Sequence, residues 1–352
     1  MNPINNNDKL ILGVLSGTSI DSVDIVLVKI NGFGKSTKIQ VLDYEQYEIE
    51  NEVRDYMLKA SDINMSNVEQ ICKMNFFTGQ YFASKINMFL NEKNLNPGEI
   101  YCIGSHGQTI YHYPKDEYLL GFPVKSTLQI GDISVIANLT NITTIGDFRC
   151  ADIAAGGTGA PLVPYLDYIM YPPDDNTRLV LNIGGISNFT FLDIYCEPSD
   201  IIAFDTGPGN MLIDAMMKKL YNKNFDEYGK IAFAGELQHS ILQKLIFSDE
   251  YLHKSPQKST GRENYGAKFL SVIDEYIGRY PDEDIITSVS EYTTYCIYQS
   301  FEKYINKKVD ELIVSGGGAK NKFLMERLEM LFPKSILIIR KQYFLQYWQM
   351  KL

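Results

Sequence analysis

The run SGTSIDSVD, at residues 16–24, has the composition of a turn that holds phosphate groups. Gly17 permits close approach of the backbone, and the amides and hydroxyls of Thr18 and Ser19 are donors for phosphate oxygens. Because Mg²⁺ prefers carboxylate oxygen, Asp21 and Asp24 are candidate ligands, directly or through water. Taken alone, the run fits an ordinary hairpin turn better than a phosphate site, and the chain has no Walker-type P-loop sequence.

A second glycine turn, Gly184-Gly185 within NIGGISN, repeats this theme in the other half of the chain. Residues 12–28 and 179–194 share one order: an apolar strand, a polar turn with glycine, and another apolar strand. Two glycine-rich hairpins that face one cleft are how actin-like kinases clamp a triphosphate. The repeat therefore favours two related domains, although a strand–turn–strand pattern is common by itself.

A third glycine segment, Gly316-Gly317-Gly318, separates a predicted strand from a predicted helix. Three successive glycines leave room for a flat ring or a phosphate against the backbone, and a helix N-terminus adds its positive dipole end. Since a structural tight turn seldom needs three glycines, ligand binding is the favoured interpretation.

Asp205 is the candidate general base. It ends a predicted strand and is followed directly by TGPGN, in which the Gly-Pro-Gly sequence is rigid. A carboxylate in that position is well placed to accept a proton from a hydroxyl or water as phosphate is transferred. The alternative role is a helix N-cap, although Asn210 is nearer the start of the following helix.

Polar side chains also follow predicted strands in the first half of the chain. His106 and Gln108 lie in GSHGQT, and Arg149 and Asp152 lie in DFRCAD. A lone histidine is by default a core residue whose ring is satisfied by the backbone. The planar guanidinium of Arg149 suits an anionic or hydroxylated substrate. The run KSTGRE, at residues 258–263, is a further polar loop that also fits a surface segment.

The elements that position these residues alternate between strands and helices. The pattern predicts strands at 10–15, 23–30, 99–103, 142–145, 178–183, 188–194, 201–204 and 311–314. It predicts helices within 51–94, at 133–139, from 211, at 285–304 and at 321–331. The proline-containing connection at 172–176 predicts a domain boundary.

The composition restricts the class of protein. The 352 residues suffice for two domains, and the net charge of −10 argues against a nucleic-acid or membrane-surface partner. Five scattered cysteines without metal-ligand spacing fit a reducing cytosol, and the polar N-terminus does not resemble a signal peptide. No stretch approaches the ~20 apolar residues that span a bilayer. These observations predict a cytoplasmic enzyme.

Taken in order, the motifs resemble the anhydro-N-acetylmuramic acid kinase family, a branch of the actin/hexokinase-like superfamily. The runs that carry the resemblance are SGTSIDSVD (16–24), GSHGQT (104–109), TLQIGD (127–132), DFRCADIAAGGTGAPLVP (147–164), LNIGGISN (181–188), FDTGPGN (204–210), KSTGRE (258–263) and SGGGAKN (315–321). They occur in the family's order and cover nearly the whole chain as far as Pro333.

The resemblance implies an α/β fold of two actin-like (ribonuclease-H-like) domains, residues 1–176 and 177–333, with an interdomain cleft for nucleotide and substrate. It implies ATP and Mg²⁺ as cofactors and 1,6-anhydro-N-acetylmuramic acid as substrate. Water opens the anhydro bridge and the 6-oxygen is phosphorylated, as a step of peptidoglycan recycling. Asp205 matches the family aspartate that is proposed to activate the water. A homodimer is also implied.

The same matches imply a set of site residues. The ATP contacts are Gly17, Thr18, Ser19, Ile20, Asp21, Ser22, Val23, Asp24, Gly184, Gly185, Gly316, Gly317 and Gly318. The substrate contacts are His106, Gln108, Arg149, Asp152 and Asn182, with Arg149 near the lactyl carboxylate. Asp21 and Asp24 are the candidate metal ligands.

The tail, residues 334–352, departs from the family pattern. It has no acidic residue, contains the only tryptophan, Trp348, and lacks the family's substrate-site glutamate. We interpret it as a truncated or frame-shifted segment whose closing helix is missing, with loss of stability and turnover expected.

Two other functions stay open at this point. One is an actin-like kinase for a different sugar, which the runs GSHGQT and KSTGRE disfavour. The other is an impaired paralogue that binds nucleotide or sugar without turnover because of its tail.

Overall fold

The computed structural model of the chain describes residues 8–17, 20–256, 260 and 262–339. The chain forms two compact units, which separate between Leu162 and Val163. The predicted boundary at residue 176 comes after the first helix of the second unit, Val163–Met170.

The first unit combines one sheet with four helices. Its strands are β1 (Lys9–Ser16), β2 (Ser22–Asn31), β3 (Lys38–Glu48), β4 (Ile100–Leu119), β5 (Phe122–Ile130) and β6 (Thr144–Ile145). Its helices are α1 (Asn51–Ala60), α2 (Val68–Glu92), α3 (Ile133–Thr140) and α4 (Phe148–Ala154). Short 3-10 turns lie at Gly34–Ser36 and Pro97–Glu99.

The first sheet has the strand order β3-β2-β1-β4-β5, with β6 also beside β4. The strands β1, β2 and β3 form an antiparallel meander, whereas β4 runs parallel to β1 and to β6. The apolar residues Met74, Phe82, Ile86 and Phe89 lie on one face of α2 and are fully buried. They pack with β1 residues such as Leu12 into one core.

The second unit begins with α5 (Val163–Met170) and builds a second sheet. Its strands are β7 (Arg178–Ile183), β8 (Ile186–Leu192), β9 (Ile202–Pro208), β10 (Glu311–Ser315) and β11 (Ile336–Ile339). Its other helices are α6 (Met211–Tyr221), α7 (Lys230–Ala234), α8 (His239–Ser248), α9 (Arg262–Tyr265), α10 (Ala267–Leu270), α11 (Asp282–Tyr304) and α12 (Lys322–Leu331). Short 3-10 segments lie at Pro198–Asp200, Glu227–Gly229, Ser271–Tyr276 and Gly317–Lys320.

The second sheet repeats the topology of the first. Its order is β9-β8-β7-β10-β11, with β7, β8 and β9 antiparallel and with β10 parallel to β7 and β11. This corresponds, strand for strand, to β3-β2-β1-β4-β6 of the first unit. It is the strand order of an actin-like domain, so the predicted α/β class with two related domains is confirmed. The predicted repeat corresponds to the hairpins β1–β2 and β7–β8.

The predicted end of β4 at residue 103 is wrong. The strand continues through the GSHGQT run and pairs with β1 on one side and with β5 further along. Val14 pairs with Ser105 and Ser16 pairs with Gln108, so the ladder contains one extra residue near Gly107, where φ is +71°. Pairing with two neighbours supplies hydrogen bonds that override the turn preference of the glycines.

Helix α11 is buried on almost every side, because 15 of its 23 residues are buried. Several of these are small hydroxyl residues, which bond backbone carbonyls and let neighbouring elements approach closely. Thr287 Oγ1 donates to the Ala232 and Glu283 carbonyls at 2.8 Å, and Ser288 Oγ donates to the Asp284 carbonyl at 2.7 Å. The helix therefore forms the centre of the second unit's core.

None of the helices in the described part of the chain is both long enough and apolar enough to cross a membrane.

The contact between α11 and α12 includes a bidentate ion pair that we expect to stabilise the second unit. Arg327 donates from Nε and Nη2 to the two carboxylate oxygens of Glu291, at 2.7 and 2.6 Å, and the Glu291 side chain is only 12% exposed. Arg327→Met should lower the free energy of unfolding by about 1–3 kcal/mol, since it leaves a largely buried carboxylate unpaired. Thermal and denaturant unfolding measure the change.

The control is Lys73→Met, which removes an exposed i,i+4 partner of Glu69 and should cost less than about 0.5 kcal/mol. The double variant Glu291→Leu/Arg327→Met should recover most of the stability. A double variant as unstable as Arg327→Met alone would contradict the unpaired-charge explanation.

Candidate active site

Asp205 lies inside β9 and not at its end, so the predicted strand end at residue 204 is wrong. It pairs with Asn188 of β8, and β9 continues to Pro208, which pairs with Ile186. The ladder with β8 continues through the Gly-Pro-Gly segment, with a bulge at Thr206 and a φ of +143° at Gly207. Asp205 is therefore fixed in a rigid strand, and its side chain is half-buried.

Two groups from the segment that follows α8 contact Asp205. The backbone N–H of Thr260 donates to Asp205 Oδ2 at 2.8 Å. The Tyr251 hydroxyl donates to the backbone carbonyl of Asp205, also at 2.8 Å. An N–H bond to a carboxylate favours its ionised form, which is the form a general base requires. Thr260 belongs to the KSTGRE run, so at least its backbone does more than cover the surface.

The Gly184-Gly185 turn at the tip of the β7–β8 hairpin is held by the chain that follows β9. The Gly184 carbonyl accepts from the N–H of Asn210 at 2.8 Å. The Gly185 carbonyl accepts from the N–H groups of Gly209 and Met211, at 2.8 and 3.1 Å. The first N–H groups of α6 are thereby bonded to this turn, and the turn and the start of the helix form one rigid piece.

The Gly316–Gly318 turn packs directly against the same strand end. A Cβ on Gly316 would lie 2.4 Å from the Ile183 carbonyl and 2.6 Å from Asn182 Oδ1. A Cβ on Gly318 would lie 2.3 Å from Ile183 Cγ2. Glycine is required at Gly316 by the approach of the Ile183 backbone and at Gly318 by the Ile183 side chain. The turn therefore packs against the end of β7, next to Gly184.

The predicted helix after the third glycine segment is present, but its N-terminus does not lie at the glycines themselves. The glycines form the 3-10 turn Gly317–Lys320, and α12 begins only after it. Asn321 is the N-cap, and its Oδ1 accepts from the Leu324 N–H at 3.3 Å. The helix terminus is thus satisfied by its own cap, one turn away from Gly316.

Asn182, predicted to contact substrate, lies beneath the third glycine turn. It is 2% exposed, and its Oδ1 has no hydrogen-bond partner among the described residues. An unsatisfied buried amide oxygen is costly, so this position suits a ligand or water donor at the end of β7.

In the first unit, His106 and Arg149 form a buried pair. Arg149, in the first turn of α4, donates from Nε to His106 Nε2 at 2.8 Å and from Nη1 to the Gly159 carbonyl at 2.6 Å. His106 Nδ1 lies 3.0 Å from the Gly107 carbonyl. Since Nε2 accepts a hydrogen bond, the proton of the neutral ring is on Nδ1. The backbone contact expected by default is present, together with the contact to Arg149.

Burial and the neighbouring charge fix the protonation states of this pair. Burial, assisted by the Arg149 cation, lowers the pKa of His106 to about 4. Burial also lowers the pKa of Arg149 to about 10, with Asp152 opposing the shift. At neutral pH the pair is therefore a neutral histidine against a cationic guanidinium, and the site is positively charged.

The remaining predicted substrate residues lie close to this pair in the chain. Asp152 Oδ2 accepts from the Gly159 N–H at 2.7 Å and so closes the glycine-rich loop that Arg149 also holds. Gln108 is fully buried, and its Oε1 has no partner among the described residues. It pairs across β4 and β1 with Ser16, whose buried hydroxyl is also unpaired there.

In the first glycine turn, residues 16–24, some side chains are buried in the core and others are exposed to solvent. Ile20 and Val23 are buried in the core of the first unit, so only their backbone can contact phosphate. Asp21 is exposed, whereas Asp24 is buried and its Oδ1 accepts from the hydroxyls of Ser22 and Tyr44, both at 3.1 Å. Gly17 is buried at the end of β1. Thr18 and Ser19 lie outside the described residues.

Among the described residues no group of three or more His, Cys, Asp or Glu side chains is placed to share a metal ion. A magnesium site that uses one or two carboxylates and the phosphates of a nucleotide needs no such group. Asp21 and Asp24 keep the hard oxygen donors that Mg²⁺ prefers.

Sequence reasoning did not identify Tyr251 as a contact of Asp205. The two residues are far apart in the chain, and no local pattern links them. For Thr260, the other contact of Asp205, there was a signal: KSTGRE is one of the matching family runs, although no role was attached to it. Lys258, Ser259 and Gly261 of that run lie outside the described residues.

The packing of Gly316 predicts that alanine is tolerated far less there than at another glycine with positive φ. Gly316 (φ +89°) and Gly278 (φ +78°) both have positive φ, but a Cβ on Gly278 would meet no atom within 4 Å. Gly278→Ala should cost about 1–2 kcal/mol from the backbone alone, and Gly316→Ala at least twice as much. Thermal unfolding compares them, and equal losses would show that the close approach is absent.

The lowered pKa of His106 predicts that part of the free energy of unfolding is lost in acid. Between pH 6.5 and about 4 the unfolded chain binds a proton that the folded chain does not, so stability falls as pH falls through this window. At pH 4.5 this component should be on the order of 2 kcal/mol. His106→Gln should remove it, measured as the change in unfolding free energy between pH 7 and 4.5.

The matched control for that experiment is His239→Gln, at an exposed position, which should keep the wild-type pH dependence. An unchanged pH dependence in His106→Gln would contradict the assignment of a neutral, buried His106.

Comparison with known proteins gives one consistent family. The sequence model of the anhydro-N-acetylmuramic acid kinase family matches residues 9–350. A relative from Caldanaerobacter subterraneus subsp. tengcongensis, named anhydro-N-acetylmuramic acid kinase, is 40% identical over 94% of this chain and 85% of its own length. A relative of the same name from Bacillus cereus is 42% identical over 90% of this chain and 83% of its own.

Among solved structures, component A of (R)-2-hydroxyglutaryl-CoA dehydratase from Acidaminococcus fermentans covers 97% of this chain and 95% of its own. At 10% identity and a TM-score of 0.46, it has no weight in the assignment.

The family match includes most of the tail that the sequence analysis set apart. Its described part, residues 334–339, contains β11 (Ile336–Ile339), which pairs parallel with β10. The residues from 340 onward lie outside the described part of the chain, so the truncated or frame-shifted tail stays a prediction. The match over residues 9–350 and two curated relatives at 40–42% identity show the family directly. The chain is an enzyme, a kinase with an alcohol group as acceptor, and it belongs to the anhydro-N-acetylmuramic acid kinase family.

Proposed function

We propose that this enzyme uses ATP to convert 1,6-anhydro-N-acetylmuramic acid into N-acetylmuramic acid 6-phosphate, with water opening the anhydro bridge. The observation that carries the proposal is the Asp205 carboxylate, which a rigid strand and the Thr260 N–H hold in one orientation. It belongs to the same unit as two of the glycine turns predicted to contact ATP. The family to which the chain belongs supplies the substrate class.

In the proposed reaction Asp205 takes the proton of the attacking water. The water oxygen bonds to the anomeric carbon, and the bond from that carbon to the 6-oxygen breaks. The 6-oxygen then attacks the γ-phosphorus, and ADP leaves with the electron pair of the broken P–O bond. A general base of this kind contributes about 10²–10⁴-fold to the rate.

The glycine turns would hold the triphosphate through their backbones, at Gly17, Gly184-Gly185 and Gly316–Gly318. The close packing of the second and third turns means that they need no rearrangement to do so. Mg²⁺, held at Asp21 and Asp24, would neutralise phosphate charge. The carboxylate oxygens there fit a hard cation.

The Arg149–His106 pair would bind the acidic part of the sugar. Arg149 stays cationic and His106 neutral at pH 7, so the pair presents one positive charge to the lactyl carboxylate. Asp152 would position the loop around Gly159, and Gln108 and Asn182 would offer unpaired amide oxygens to sugar hydroxyls. We further propose that the enzyme acts in the cytoplasm, as a homodimer, in peptidoglycan recycling.

The mass of the product tests the proposal. The protein, ATP, Mg²⁺ and 1,6-anhydro-N-acetylmuramic acid should give a sugar that has gained one phosphate and one water. A sugar that has gained phosphate without water indicates an ordinary sugar kinase and contradicts ring opening. An unchanged sugar, with nucleotide still bound, indicates an impaired paralogue.

Asp205→Asn tests the base in the same assay. The amide keeps an oxygen for the Thr260 N–H but accepts no proton from water, so turnover should fall by at least about 10²-fold. Nucleotide binding should be retained, as measured by calorimetry. The control Asp200→Asn removes a carboxylate that caps an exposed 3-10 turn before β9 and should keep full turnover. Retained turnover in Asp205→Asn would remove this residue from the base role.

A further inference from the structure

Asp249 is a buried carboxylate that the proposed reaction does not use. It follows α8, is 2% exposed, and has four hydrogen-bond donors around it. Its Oδ1 accepts from the N–H groups of Tyr251 and Leu252, at 2.8 and 3.1 Å. Its Oδ2 accepts from the Tyr265 hydroxyl at 2.8 Å and from the Tyr292 hydroxyl. Four donors offset the cost of burying this group.

These bonds connect three separate parts of the second unit. Tyr265 ends α9, and Tyr292 lies on the buried helix α11. Burial raises the pKa of both tyrosines far above the usual range, so their hydroxyls stay protonated donors. The ring of Tyr265 also packs edge-on against Tyr251 and Phe269, with centroids 6.0 and 5.2 Å apart. Asp249 is therefore fixed to the core of the unit.

The segment that begins at Asp249 reaches Asp205 at two points. Tyr251, two residues on, donates its hydroxyl to the Asp205 carbonyl, and Thr260 donates its N–H to Asp205 Oδ2. The Tyr304 hydroxyl, on α11, donates to the Lys254 carbonyl at 2.5 Å and holds the same segment between these points. A shift of this segment would change the orientation of the carboxylate.

We propose that Asp249 is a positioning residue for Asp205. It holds Tyr251, whose hydroxyl bonds the Asp205 carbonyl, and Tyr265, which lies five residues after Thr260, the donor to Asp205 Oδ2. The inference rests on the proposed function, in which Asp205 is the general base. Asp249 touches neither the water nor the sugar. Its effect is to keep Asp205 Oδ2 bonded to the Thr260 N–H, so that the geometry of proton transfer is maintained.

Amide hydrogen exchange at Thr260 tests the anchoring without any substrate. In the wild type the Thr260 N–H is protected by its bond to Asp205. Asp249→Asn replaces an acceptor oxygen by an amide nitrogen, and exchange at Thr260 should become at least about tenfold faster. The control Tyr298→Phe, which removes a hydroxyl that donates to exposed Glu302, should leave exchange unchanged. Wild-type exchange at Thr260 in Asp249→Asn would overturn the proposal.

Steady-state kinetics then separate positioning from general stability. Tyr251→Phe removes one link to Asp205, keeps the N–H bond to Asp249 and should melt close to the wild type. Asp249→Asn and Tyr251→Phe should each lower kcat by about tenfold or more. The KM values for ATP and for the sugar should stay within about twofold of those of the wild type. A raised KM at unchanged kcat would overturn the inference. If the wild-type enzyme leaves the sugar unchanged, the proposed function is refuted. Amide hydrogen exchange at Thr260 still decides, independently, whether Asp249 positions the residues that bond Asp205.

Discussion

Close backbone approach at the carboxyl end of β7 is the constraint on which the second unit's site depends. The carbonyls of Gly184 and Gly185 accept the N–H groups of Gly209, Asn210 and Met211, so the β7–β8 hairpin and the start of α6 are joined. On the other side, Gly316 and Gly318 lie where any Cβ would collide with Asn182 or Ile183. Turns that are distant in sequence thus become one surface of backbone groups, which needs no reorganisation to bind a charged ligand.

Helix α11 packs against the chain segment 207–209, and it also contacts Asp249, near the residues that bond Asp205. Thr293 Oγ1 donates to the Gly209 carbonyl at 2.9 Å, and Cys296 lies so close to Gly207 that a Cβ there would be 3.2 Å from its own Cβ. Tyr292, from the same helix, reaches Asp249. Thr293 and Cys296 of α11 are buried because the segment 207–209 packs tightly against them. Helix α11 is therefore buried both by the apolar core of the second unit and by the glycine segment that follows Asp205.

In the first unit the side chain of Arg149 stays positively charged although it is buried. Arg149 retains its proton because its pKa, although lowered to about 10, is well above neutral. His106 gives it a neutral acceptor, since burial and the guanidinium keep the ring unprotonated. The guanidinium donates to this neutral ring and to the Gly159 carbonyl, and it stays a cation at neutral pH.

The sequence by itself determined the α/β class, the repeated hairpins, most helices and the family, because glycine turns, apolar periodicity and ordered motifs are local patterns. It assigned wrong ends to β4 and β9, since ladder hydrogen bonds from neighbouring strands override the turn preferences of Gly104 and of the Gly-Pro-Gly segment. The partners of Asp205 and His106, namely Thr260 and Arg149, were decided only by the tertiary structure. Those contacts join residues dozens of positions apart, and their hydrogen bonds exist only once the unit that contains them has folded.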